Sequence, residues 1–221
     1  MRYALFSDVH GETERLKLAM ADMRRRGTER IVSLGDIGNS ACYDLLRIAG
    51  AVGVFGNWEV SGWSRLPAAQ RDYVLSLPAL LVEDGFLAAH AVPYAPAGLS
   101  DIQSYTRYMA TGGRRWRELF PYMTESEDVL WKALAELCAR GQRILFHGHT
   151  HRQSGWRMAA GRLRPLAGPC IAVDDLNARY LIGVGSIGRP EDTSGISYAW
   201  YDSQTQTVEW VRLPAGAEAQ K

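Results

Sequence analysis

Along the first half of the chain, compact apolar runs of strand length alternate with stretches where apolar residues recur every three or four positions. Tyr3–Ser7, Arg30–Leu34 and Ala51–Phe55 are runs of the first kind and predict strands. Between the first two, Leu16, Met20 and Met23 share one face of a helix predicted from about Glu12 to Arg26, with Gly27 as its stop. A shorter helix is predicted over Ser40–Ile48, and another opens at Pro67 and ends before Pro78. Leu80–Glu83 and Phe86–His90, joined through Asp84-Gly85, predict a hairpin.

The periodicity then fades. From Ala91 to about Thr124, Pro, Gly, Tyr and Arg dominate, and an excursion of that length inside a compact domain is often functional. Helical spacing returns over Glu125–Arg140, where Thr124 and Glu127 predict a capping box. Arg143–Phe146 reads as a short buried strand. The remainder predicts β-hairpins: Gln153–Met158, Cys170–Val173, Tyr180–Val184, Ile196–Asp202 and Thr207–Leu213, the last two joined by the polar Ser203–Gln206 turn. Residues 1–213 are expected to form a single domain, with 214–221 as a disordered tail. Strand–helix alternation followed by hairpins predicts an α/β fold with two sheets and helices outside.

Composition changes this picture by exclusion. Lys and Arg number 25 against 24 Asp and Glu, a net charge of +1, so no global excess points to nucleic acid or an anionic membrane. An anionic substrate must be attracted locally. The apolar runs are too short to span a bilayer, and no signal-peptide h-region is apparent. Cys42, Cys138 and Cys170 are odd in number and widely spaced, which predicts reduced cysteines in a cytoplasmic protein.

The candidate chemistry lies at the strand ends. All five histidines (His10, His90, His147, His149 and His151) follow or end a predicted strand, as do Asp8, Asp36 and Asn57. Ligands of open α/β sheets bind beyond the carboxyl ends of the strands, so these residues should converge. In extended backbone, side chains two apart share a face, which predicts that Asp8 and His10 reach one centre, and His149 and His151 likewise. Carboxylate, amide and imidazole donors without thiolate suit divalent Mn, Fe, Co, Ni or Zn. Each element alone is weak: an Asp at a strand end is commonly a cap, and a lone His90 in an apolar run is commonly core. Their order along the chain is the specific signal.

That order, Asp8-Val9-His10, Gly35-Asp36, Gly56-Asn57-Trp58-Glu59, His90 and Gly148-His149-Thr150-His151, resembles the calcineurin-like metallophosphoesterase superfamily. Val184-Gly185-Ser186-Ile187-Gly188-Arg189-Pro190 is similar to a segment of its small prokaryotic phosphodiesterase branch. The resemblance covers about residues 1 to 213 and is least along the 91–124 excursion. It implies an α/β fold, a four-layer α/β/β/α sandwich of two mixed β-sheets flanked by helices. It also implies two divalent metal ions, with Mn the first choice and Fe, Ni, Co or Zn as alternatives. Carried over by motif, Asp8, His10 and His151 hold the first metal, Asn57, His90 and His149 the second, and Asp36 bridges both. His147 has no ligand role in the pattern and is expected in the core or behind the ligands.

The activity implied is hydrolysis of phosphodiesters or activated phosphomonoesters by a metal-bridging hydroxide. Asp36, Asn57 and His90 are the residues expected in catalysis, and Asn57, Trp58 and Arg189 those expected to contact substrate. One departure bears on mechanism. Many members carry a proton-donating His where this chain has Trp58, and an indole N–H cannot act as a general acid near neutral pH. Aromatic and Arg residues of the excursion (Tyr94, Tyr105, Arg107, Tyr108, Arg114, Arg115 and Trp116) either cover the metal centre or form an ordinary amphipathic face. The expected partner is a small phosphoester, a nucleotide among the candidates, with no membrane and no nucleic acid. A serine/threonine protein phosphatase-like monoesterase and a non-catalytic metal-binding scaffold are the rival readings.

Overall fold

Strand alternation decides the layering. In β1 (Arg2–Phe6), Tyr3 and Leu5 point one way and Ala4 and Phe6 the other. Tyr3 and Leu5 join a fully buried cluster with Val32, Phe86, Phe146, Tyr180, Ile182 and Tyr201, drawn from both sheets. Ala4 and Phe6 instead meet Leu16, Ala19 and Met23 of α1 (Thr13–Arg25) and Leu46 of α2 (Ser40–Ile48). On the far side, Leu87, Leu145 and Leu181 pack on Leu130, Ala133, Leu134 and Leu137 of a later helix, Glu127–Ala139. Helices, sheet, sheet and helix are thus stacked in four layers. The computed structural model describes residues 1–111 and 116–214. The predicted tail after Pro214, and Arg114 and Arg115 of the excursion, lie outside them.

The first sheet runs β3 (Val52–Gly53), β2 (Arg30–Ser33), β1, β11 (Ile196–Asp202), β12 (Thr207–Leu213), β9 (Cys170–Ala172). The second runs β4 (Leu80–Glu83), β5 (Phe86–Ala89), β6 (Ile144–His147), β10 (Arg179–Val184), β7 (Gln153–Ala159), β8 (Arg162–Pro165). Both are mixed: β1 lies parallel to β2 but antiparallel to β11, and β10 lies parallel to β6 but antiparallel to β7. Parallel neighbours β1–β2–β3 and β5–β6 all end on one edge, where the candidate residues begin.

The predicted strands are present, with corrections of detail. Cys170–Val173 and Tyr180–Val184 do not form a hairpin: β9 pairs with β12 in one sheet and β10 joins β6 and β7 in the other. Their hydrophobic patterns agree with either pairing, and only the two-sheet packing separates them. β8 was not anticipated. Its turn with β7 places Ala160 and Gly161 at φ of 48° and 70°, a two-residue conformation for which alanine gives little signal. The helix after the excursion, α7, begins at Glu127, and its cap is Ser126, which accepts from the Val129 N–H, rather than Thr124. The excursion holds two unpredicted helices, α5 (Ile102–Ala110), capped by Asp101, and α6 (Trp116–Leu119). A further short helix, α3 (Asn57–Gly62), follows β3, and α4 (Ala68–Ser76) follows Pro67.

Candidate metal centre

Each candidate ligand sits one to four residues beyond a strand end, in loops whose backbone turns sharply. Asp8, His10, Asp36, His149 and His151 all have left-handed φ, between 51° and 65°. A non-glycine residue there costs roughly 1–2 kcal/mol, and such strain gathers where a site over-determines the backbone. This corrects the expectation that Asp8 and His10, and His149 and His151, converge because extended residues two apart share a face. Asp8 and His10 reach one cluster through kinks, while His149 and His151, also kinked, go to different clusters. Two glycines admit the close approach of loops at the Asp36 kink. Gly35 has φ of 92° and a Cβ there would lie 2.4 Å from the Gly56 nitrogen, while a Cβ at Gly56 would lie 2.2 Å from Asp36 Oδ1.

The side chains form two adjoining clusters. In the first, His10 Nε2 lies 3.1 Å from His151 Nε2, and Asp8 Oδ1 lies 3.3 Å from His151 Nε2 and 3.7 Å from His10 Nε2. In the second, His90 Nε2 is 2.9 Å from Asn57 Oδ1, 3.2 Å from His149 Nδ1 and 3.5 Å from Asp36 Oδ1. Asp8, Asp36 and His90 also present ligand atoms within 4.8 Å of one another, so the clusters share a border. All seven candidates are therefore together, with His149 and His151 divided between the clusters. His147, at the end of β6, is fully buried behind them.

Two histidines are held in a ligand-ready tautomer. His90 Nδ1 donates to the Leu34 carbonyl at 2.7 Å and His151 Nδ1 to the Arg189 carbonyl at 2.8 Å, so each ring turns its Nε2 toward the centre. Burial pulls His10 down to about 4, and burial with the charge of His90 pulls His149 down to about 3, so both rings are neutral at pH 7. Burial acts to raise Asp8, but the pull of the His151 ring, 3.3 Å away, and of His90 outweighs it and holds the carboxyl low. Burial, Glu59 and Asp8 together push Asp36 well above the usual carboxylate range.

This arrangement fits cations. Asp8 Oδ1 is buried without a hydrogen-bond partner, 3.3 Å from His151 Nε2 and 3.7 Å from His10 Nε2. Left so, the group pays a desolvation cost of several kcal/mol; a divalent ion between these atoms removes it.

The model of the calcineurin-like phosphoesterase superfamily domain matches residues 1–206. The chain belongs to that superfamily. As a superfamily member it is a metal-dependent hydrolase of phosphoric esters. It is 24% identical to an uncharacterized protein of Methanocaldococcus jannaschii, covering 95% of this chain and 86% of that one. Its fold matches a metallophosphoesterase from Sphaerobacter thermophilus with a TM-score of 0.72 at 22% identity, covering 98% of this chain and 90% of that one. A structure described as a novel archaeal phosphodiesterase matches with a TM-score of 0.52 at 12% identity, covering 96% and 100%. At these identities the two structures speak to the fold alone.

Around the superfamily's motifs, several residues act that the sequence did not single out. Glu59 is 1% exposed and takes four hydrogen bonds: from the backbone N–H groups of Asp36 (2.8 Å), Ile37 (2.9 Å) and Gly56 (2.8 Å), and from Tyr43 Oη (2.7 Å). One side chain thus ties the Asp36 loop to the Asn57 loop. Its place at the third position of α3, ending the Gly-Asn-Trp-Glu motif, was the available signal. Ser186 donates to the Asp8 carbonyl at 2.8 Å and accepts from the Arg189 N–H at 2.8 Å, so the Gly185–Pro190 segment clamps the β1 loop.

The excursion reaches the centre through residues other than those expected. Tyr122 stacks on His149 with ring centroids 4.6 Å apart, and Phe120 stands edge-on to His90 at 5.6 Å. Tyr105 is instead buried in the helix-side core, Tyr94 lines a separate groove, and Trp116 packs on Phe120. Trp58 meets His10 at 4.5 Å, and the Arg189 guanidinium lies 5.3 Å from the centroid of the Trp58 ring.

Proposed function

We propose that this protein hydrolyses phosphodiesters, or phosphomonoesters with good leaving groups, at two divalent ions. The observation that carries the reading is the buried, unpartnered Asp8 Oδ1 facing His10 and His151, beside a second cluster of Asn57, His90 and His149. Asp8, His10 and His151 would hold the first ion and Asn57, His90 and His149 the second, with Asp36 at the border of the two clusters as the residue they would share. When bound, such a pair supplies a water whose pKa is lowered to about 7 and neutralises charge on the phosphoryl oxygens. Oxygen and imidazole donors without thiolate make Mn the first metal to try, with Fe, Ni, Co and Zn behind it.

The chain's own groups do the positioning. Asn57 and His90 set the geometry of the second cluster against Asp36, whose Oδ1 also accepts from the Trp58 N–H at 2.8 Å. Arg189 orients His151 through its carbonyl and brings positive charge to the mouth through its side chain. Trp58 offers the leaving oxygen no proton. Losing a positioned acid costs on the order of 10²–10⁴-fold, least where the leaving group departs as a stable anion. That favours diesters of acidic alcohols over protein phosphomonoesters. No helix among the described residues is long and apolar enough to cross a membrane, and the three cysteines are free. We place the protein in the cytoplasm on the cysteine chemistry.

The test combines metal analysis with two substrates. The purified parent should hold about two ions per chain, and an Asp36→Asn variant should lose most of them. Mn-loaded parent should hydrolyse bis-p-nitrophenyl phosphate faster than p-nitrophenyl phosphate. A strong monoester preference would transfer the assignment to the phosphatase-like rival. Metal-loaded protein that hydrolyses neither would transfer it to the scaffold.

A further inference from the structure

Beside the metal centre lies a groove of about 360 Å³ that the reaction as described does not use. Gly38, Tyr43, Trp58, Gly62, Arg65 and Leu66 line it, and its size falls in the range of small-molecule clefts, about 300–1,000 Å³. It starts at the metal ligands, because Gly38 packs against Gly11 and His10, and Trp58 touches both His10 and Asp36. It then follows one side of α3 and the turn after it, since positions 58, 62 and 65 are spaced four and three apart and share a helical face.

Three features point to what it holds. Trp58 is 38% exposed, a large aromatic surface left at the entrance. Gly62 leaves a gap in the middle: a Cβ there would meet nothing closer than the Arg65 side chain at 3.8 Å. Arg65 and Arg189 form no ion pair with a carboxylate among the described residues. Arg65 Nη2 donates only to the Ser61 carbonyl, and the Arg189 side chain rests on Trp58. From the metal centre outward the order is therefore ligand clusters, aromatic wall, gap, guanidinium.

We propose that the groove binds a nucleoside phosphorylated on both its 3′ and 5′ oxygens. One phosphate sits at the metal centre, the base lies against the indole of Trp58 over Gly62, and the other phosphate meets Arg65. Arg65 is then a specificity-determining residue, since a guanidinium–phosphate contact is charge-assisted and geometrically selective. The inference rests on the phosphoesterase reading: such a bisphosphate is what remains when a diester on its 3′ or 5′ phosphate is cleaved, so the groove narrows which diesters are substrates.

Binding to the Mn-loaded protein is measured by calorimetry with adenosine 3′,5′-bisphosphate, 5′-AMP and inorganic phosphate, which needs no turnover. The bisphosphate should bind about tenfold or more tightly than 5′-AMP, and Arg65→Gln should bring the two within about twofold. Gly62→Leu, at a residue with φ of −124° that accepts a side chain, should weaken both nucleotides while inorganic phosphate binds as before. A second titration with 5′-phosphorylated diadenosine monophosphate separates a free mononucleotide from the end of a chain as the natural source. Equal affinity of inorganic phosphate and the bisphosphate, or an undiminished preference in Arg65→Gln, overturns the proposal. Absence of diester hydrolysis with the preference intact would sink the phosphoesterase reading and leave the groove assignment standing.

Discussion

Replacing Glu59 by Gln tests whether one buried carboxylate assembles the metal centre. Its Oε2 accepts from Asp36 and Gly56, and its Oε1 from Ile37 and Tyr43. A glutamine amide has one acceptor oxygen and no charge. With its NH₂ toward Ile37 and the Tyr43 hydroxyl, which can turn and accept, the Ile37 bond is lost and the other three lose their charge assistance, together equivalent to about two charge-assisted bonds. Hydrogen bonds to a charged group are worth about 1.5–3 kcal/mol each, so the loss is about 3–6 kcal/mol. Removing the charge also relieves repulsion of Asp36, which Glu59 helps to push upward. In metal-free protein that relief offsets much of the loss. With cations bound, Asp36 is already neutralised and only the loss remains. Thermal unfolding should therefore show a small change without metal and a fall of about 6–24 °C in Mn-loaded protein, at roughly 2–4 °C per kcal/mol for a chain of this size. Tyr43→Phe, which removes one donor, should produce about half that fall. Equal shifts with and without metal, or a holo shift under about 2 °C, would refute the reasoning.

Three further outcomes are expected. Gly56→Ala introduces no φ strain, since Gly56 has φ of −109°, yet its Cβ displaces the Asp36 carboxyl; bound metal measured by atomic emission should drop below one ion per chain, about half the parent value or less. Trp58→His restores a general acid and should raise turnover of alkyl phosphodiesters by up to about 10²-fold, with a smaller gain for p-nitrophenyl esters. Tyr198→Phe removes the hydroxyl that donates to buried Asp22, which Arg25 and Arg26 also bridge. Burial raises Asp22, but these bonds outweigh it and lower the carboxyl. The variant should thus lose about 1.5–3 kcal/mol above pH 4 in urea unfolding, a difference that fades as the pH falls through the depressed value in the folded state.

Much of the frame was legible because it is local. Alternation in β1, the 3.6-residue face of α1, Gly27 at φ of 68° and the Asp84-Gly85 hairpin each follow from a few neighbouring residues. The missed helices are short or lie among Pro and Gly: α5 has a cap at Asp101 and an apolar face of Ile102, Tyr105 and Met109, but it spans only nine residues inside the Pro- and Gly-rich excursion. The Thr124 cap was wrong by two residues because Thr and Ser there are chemically equivalent and only the helix start chooses between them.

Donor identity is likewise written in the chain: three kinds of ligand at strand ends, without thiolate, already specify divalent-metal chemistry. What tertiary structure decided is how those donors meet. His149 and His151 are two residues apart yet serve different clusters, because each stands at a left-handed kink that no periodic pattern encodes. Glu59 and Ser186, which hold the loops from behind, and Tyr122, which stacks on a ligand, act on residues dozens to more than a hundred positions away in some cases and within three in others. Short-range preferences choose strands, helices and donor types; only packing of two sheets brings their loops to one edge, where burial and mutual charge set what those donors can do.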